Sequence, residues 1–70
     1  MPLQKRSFSL AGHRTSVALE AEFWAVLDAE AKKTDASLAA LVARIDAARA
    51  ERPLASALRL HALAAAAKGG

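Results

Sequence analysis

The sequence predicts a mostly helical fold with one short β-strand, built as a homodimer. Three observations lead there. Residues 14–19, RTSVAL, alternate small or polar side chains with larger apolar ones, the two-residue period of a strand. From Glu20 onward the apolar spacing becomes helical. Finally, 70 residues make one small domain, whose core is marginal unless something adds to it. The chain has no cysteine, which removes disulfides and thiolate metal sites. His13 and His61 lack the short spacing of zinc ligands. A second copy is the remaining reinforcement.

In the strand, β-branched Thr15 and Val17 favour the extended state. Alternation puts Thr15, Val17 and Leu19 on one face and Arg14, Ser16 and Ala18 on the other. A lone strand needs a neighbour. Two copies that pair residues 14–19 antiparallel about a two-fold axis satisfy each other's edges in an isologous contact. The Thr15, Val17, Leu19 face then covers a core of four helices. The alternative keeps the pairing within one chain, KRSFSL folding back onto RTSVAL through AGH. It ranks second, because Ala-Gly is a poor match for the Asn-Gly and Asp-Gly pairs of tight hairpins. A lone two-stranded hairpin is also marginal in water.

Residues 21–34, AEFWAVLDAEAKKT, read as an amphipathic helix. Phe23, Leu27 and Ala31 share a face with Val26 beside them, and Trp24 flanks the stripe as a packing or interface residue. Acids near the start and lysines near the end suit the helix dipole. TDAS breaks the pattern, and Ser37 is a good N-cap for a second helix at 38–50. There Leu38, Leu41, Val42 and Ile45 follow the spacing of a buried face. Pro53 suits a first helical position, so residues 53–68 form a third helix. Its Leu54, Leu58, Leu60 and Leu63 do not fit one stripe, so it is expected to touch more than one surface. The organisation is then a basic N-terminal arm at 1–13, a core at 14–50, and a C-terminal helix with a short tail at 51–70.

The net charge of +3 is unevenly placed. Lys5, Arg6 and Arg14 carry the whole excess, because the seven remaining basic residues balance the seven acidic ones. A localised basic patch attracts polyanions such as nucleic acid. The N-terminus lacks the apolar core of a secretory signal, and no apolar run approaches a bilayer span. The arm also lacks the helical moment of a membrane-surface peptide. Absence of cysteine fits a reducing compartment, so a cytoplasmic protein without a membrane partner is expected. No Ser/His/Asp spacing, Gly-rich phosphate loop or metal cluster occurs. The expectation is no enzyme, no catalytic residue, no metal and no cofactor.

The order strand, helix, short turn, helix over residues 14–50 resembles the ribbon-helix-helix DNA-binding proteins, to which the Arc and methionine repressors belong. The residues that carry the likeness begin RTSVALEAEFWAVLDAEAKKTDASLAALVARI. The lead KRSFSLAGHRTS and the tail LASALRLHAL are similar to a bacterial subgroup with an extra C-terminal helix. The resemblance implies a homodimeric transcriptional regulator, a repressor, whose β-ribbon enters the major groove of double-stranded DNA. By position, Arg14, Ser16 and Ala18 would face the bases. Arg14 suits guanine, Ser16 several bases, and Ala18 only a thymine methyl. Ser37 and the backbone N–H groups of Leu38 and Ala39 would grip a phosphate at the start of the second helix. Lys5, Arg6 and His13 would add sequence-independent backbone contacts. Thr15, Val17, Leu19, Phe23, Leu27, Leu38, Leu41, Val42 and Ile45 would form the dimer core.

Two departures bear on this reading. Asp35 stands where many members have Gly, and its charge is unfavourable beside a phosphate. Ala18 stands where polar residues are usual, so modest specificity is expected. An antitoxin or adaptor acting on a protein through the same scaffold is the second reading. Antitoxins of the family usually carry a C-terminal tail that wraps the toxin, whereas this tail is short and Ala-rich.

Overall fold

Residues Leu3–Leu10 form strand β1 and His13–Glu20 form strand β2, paired antiparallel as a hairpin in a computed structural model that describes residues 2–69. Two expectations are corrected here. Residues 3–10 of the expected arm are a strand, and within the chain the 14–19 strand pairs with it, the alternative ranked second; the other edge of β2 stays open in the two-stranded sheet. The reason is burial. Phe8 and Leu10 are 7% and 5% exposed beside Val17 and Leu19. Burying a large apolar side chain contributes about 1.5–3 kcal/mol, which an unfolded arm would forgo. The turn that weighed against this pairing does form. Ala11 and Gly12 both take positive φ, 51° and 82°, the pattern of a type I′ turn. The left-handed conformation costs Ala about 1–2 kcal/mol, less than the two burials return. Nor is the hairpin alone, because its inner face lies against helices.

Helices α1 (Ala21–Lys33), α2 (Leu38–Ala48) and α3 (Leu54–Gly69) follow. In α1 the buried residues are Trp24, Leu27 and Ala31, while Phe23 and Val26 are only partly buried. Leu27 and Ala31 are buried as expected, but Trp24, 1% exposed, takes the buried place expected of Phe23. The hairpin explains the exchange. Trp24 Nε1 donates to the Gln4 carbonyl at 2.7 Å, and its ring lies 6.0 Å from that of Phe8. At the end of α1, Asp35 has φ 56°. Its N–H donates to the Lys32 carbonyl and the Ala36 N–H to the Ala31 carbonyl, the paired bonds of a Schellman cap. Asp thus holds the left-handed position that Gly usually fills.

Ser37 caps α2 as expected, its Oγ accepting from the Ala40 N–H at 3.0 Å. The helix stops short of residue 50, because Ala50 turns left-handed at φ 55°. Arg49 latches that turn, its Nε donating to Asp46 and its Nη1 to the Arg52 carbonyl, both at 2.7 Å. Pro53 lies just before α3, and its carbonyl accepts from the Ala57 N–H.

One core joins these elements. Leu41, Val42 and Ile45 of α2 meet Ala57, Leu58 and Ala62 of α3, the α1 stripe and the inner hairpin face. The residues expected at a dimer core therefore line the core of a single chain. Thr15, Phe23 and Leu38 are half-buried at its margin. The Cα radius of gyration, 11.4 Å, is that of a closed 70-residue subunit, about 11 Å.

Candidate nucleic-acid interface

In an antiparallel pair, residues directly opposite share a face. The register sets Lys5 against Ala18, Ser7 against Ser16, and Ser9 against Arg14. These six side chains form the outer face of the hairpin. Five of them are exposed and Ala18 is half-buried. Gln4, Arg6, Phe8 and Leu10 lie on the opposite face with Leu19, Val17, Thr15 and His13. The sequence alternation therefore held for β2, with Arg14, Ser16 and Ala18 turned away from the core.

The outer face is cationic and rich in hydroxyls. Ser7 and Ser16 share a hydrogen bond, Oγ to Oγ at 3.0 Å. A hydroxyl donates or accepts by rotation, so this pair can adjust to the groups it meets. Lys5 and Arg14 stand toward opposite ends of the face. An acid appears only at its far margin, where Glu20 closes β2 opposite Leu3. Arg59 Nε donates to that carboxylate at 3.0 Å. A backbone hydrogen bond at Glu20 and then the Arg59 guanidinium hold its carboxyl below the ordinary carboxylate range. It stays ionised and paired well below neutral pH.

The other expected contacts divide. Lys5 joins the outer face. His13 is exposed at the hairpin tip, on the side of Leu10. Arg6 does not join, which corrects its place in a solvated basic arm. Its Nη1 donates to Asp28 Oδ1 and Oδ2 at 3.0 and 3.3 Å, and its guanidinium lies 4.7 Å above the Trp24 ring. Strand pairing decides this, since alternation turns Arg6 toward α1 and its neighbour Lys5 away. At the start of α2, Ser37 Oγ is occupied as a cap. The N–H groups of Leu38 and Ala39 have no acceptor within the helix by position. Asp35, in the turn just before, opposes an anion there.

Sequence reading missed Ser7 and Ser9. The signal was present in KRSFSL, where Phe8 and Leu10 alternate with Lys5, Ser7 and Ser9. It carries weight only once the hairpin is the chosen pairing. No group of three or more possible metal ligands occurs among the described residues. Nor, among them, is any helix long and apolar enough to cross a membrane.

The family model described as a ribbon-helix-helix domain matches residues 3–66. No curated protein and no solved structure matches the chain. The family match opens at the first residue of β1 and runs into α3, so it takes in the whole hairpin as well as the helices. The chain belongs to the ribbon-helix-helix domain family, whose members are typically DNA-binding transcription regulators or antitoxins.

Proposed function

We propose that this protein is a homodimeric transcriptional regulator, acting as a repressor, that lays the outer face of its β1–β2 hairpin into the major groove of duplex DNA. One observation carries the reading. Lys5, Ser7, Ser9, Arg14 and Ser16 stand exposed together on one face of a two-stranded ribbon, with no acid among them. The major groove is about 12 Å wide and admits such a ribbon. Arg14 donates to guanine, Ser16 and Ser7 adapt to the neighbouring base edges, and Ala18 touches a thymine methyl. Lys5 and His13 meet phosphates. Ser37 and Leu38 offer a weaker phosphate contact through the N–H groups that open α2. Two such hairpins about a two-fold axis would read a two-fold symmetric site. On this reading the protein is not an enzyme, needs no cofactor or metal, and works in the cytoplasm.

The test is binding to a duplex selected from a random pool. Arg14→Ala is expected to weaken the selected site by about 1–3 kcal/mol and to relax its sequence preference. Lys5→Ala should weaken all sequences alike and lower the salt slope by about 1. Equal binding by Arg14→Ala and wild type at matched salt would sink the assigned face.

A further inference from the structure

The two-stranded sheet has two outer edges, and they differ. On β1 a backbone acceptor is already taken, because the Gln4 carbonyl receives Trp24 Nε1 at 2.7 Å. On β2, among the described residues, no side chain of another residue takes a backbone group of residues 13–19. The register runs unbroken from Leu3–Glu20 to Leu10–His13, so no bulge bends that edge away. An open, regular edge pairs with another strand. A second copy of β2, antiparallel about a two-fold axis through the sheet, satisfies it and keeps both outer faces on one side. The joint sheet then has four strands, with the two β2 strands in the middle and the two β1 strands outside.

We infer that only the two β2 strands of this sheet enter the major groove, while each β1 stays on the rim. There Lys5 and Ser9 hold phosphates, and Ser7 sets the hydroxyl of Ser16. The inference rests on the homodimer and DNA reading above and divides its contact face between base reading and phosphate grip.

Width decides the division. Neighbouring strands lie about 4.8 Å apart, so the axes of the outermost two are about 14 Å apart. The major groove is about 12 Å wide and admits a two-stranded ribbon. Four strands do not fit, and the middle pair does. The outer pair then meets the phosphates that wall the groove.

The side chains match this placement. β2 presents Arg14, whose planar guanidinium suits the paired acceptors of guanine. β1 presents Lys5, Ser7 and Ser9, a point charge and two hydroxyls. The arginine of β1, Arg6, is turned inward to Asp28. Lys5 stands opposite Ala18 and Ser9 opposite Arg14, so the rim contacts lie toward both ends of the reading strand. Between them Ser7 faces Ser16, and their hydroxyls bond at 3.0 Å. That bond limits the rotation of the Ser16 hydroxyl and aims its remaining capacity at the base. Ser7 therefore serves the base edge through Ser16, as a positioning residue.

Two measurements test the arrangement. The chain has no cysteine, so Ser7→Cys and Ser16→Cys each take a single nitroxide label. The two positions lie directly opposite in the register, so their label-to-label distances across the dimer differ chiefly by strand order. The Ser7 labels are expected to be farther apart than the Ser16 labels. Equal distances, the reverse order, or no dipolar coupling at either site would overturn the four-stranded sheet. The second measurement is binding to duplexes selected by wild type. Ser9→Ala should weaken selected and random duplexes alike, by about two- to tenfold, and Lys5→Ala should also leave base preference unchanged. Ser7→Ala should relax preference at the base pair that Ser16→Ala relaxes, and should add nothing in the Ser16→Ala background. A changed preference with Ser9→Ala or Lys5→Ala would put β1 inside the groove and overturn the rim assignment. Unchanged affinity with Ser9→Ala, or a Ser7→Ala effect independent of Ser16, would overturn it as well. The DNA reading itself is judged by Arg14→Ala, which the rim assignment does not affect.

Discussion

On the inner face of the β1–β2 hairpin, Arg6 holds both oxygens of Asp28 and lies over Trp24. On the outer face, Arg14 is exposed opposite Ser9, and no ion pair to it occurs among the described residues. In the sequence both belong to one basic excess. In the fold they do different work, because strand alternation aims one at α1 and the other at solvent. A basic cluster therefore overstates a candidate DNA surface wherever one of its members faces inward. What remains outside after folding is the better guide, and here that is Lys5 and Arg14 with three serines.

Substitutions can break or sharpen this contrast. The largest effect is expected at the inner anchor. Trp24→Ala removes the fully buried indole, its bond to Gln4 and the surface under Arg6, and should cost about 3–5 kcal/mol. A domain of this size is stable by about 3.5–10 kcal/mol, so the urea transition should move far down or vanish. A near-wild-type midpoint would show that the inner face does not hold the hairpin down.

The paired arginines come next. Arg6→Ala loses a part-exposed ion pair and a cation–π contact, together about 1 kcal/mol. Arg14→Ala should stay within about 0.5 kcal/mol of wild type in the same urea titration. Equal losses would erase the distinction between the faces. The turn that joins them should give a small effect of the opposite sign. Ala11 holds a positive φ that Asn tolerates better, so Ala11→Asn should stabilise the protein by about 0.5–1 kcal/mol. A lower urea midpoint for that variant would argue against the two-residue turn.

Much of the local structure was legible. Helical spacing located α1 and α2, Ser37 marked the start of α2, and alternation sorted β2 into its two faces. The mixed leucines of α3 also announced a helix with two apolar sides. The identity of the strand's neighbour was not legible from its turn. Ala11-Gly12 is a weak local signal, and the deciding energy is the burial of Phe8 and Leu10 against helices remote in sequence. Trp24 was read as flanking the stripe, although it is buried within it, for the same reason. Its anchor, the Gln4 carbonyl, lies 20 residues away.

By itself the sequence determined strand β2 and the three helices, which residues of β2 share a face, and that the charge excess sits near the N-terminus. Those properties follow from periodicity and capping, which act over a few residues. Only the tertiary structure decided that β1 and β2 pair within one chain, that Arg6 is held inside while Lys5 and Arg14 face out, and that one flank of α3 is left uncovered. Each of those outcomes is a competition between distant side chains for the same buried surface, and close packing settles it where no local pattern can.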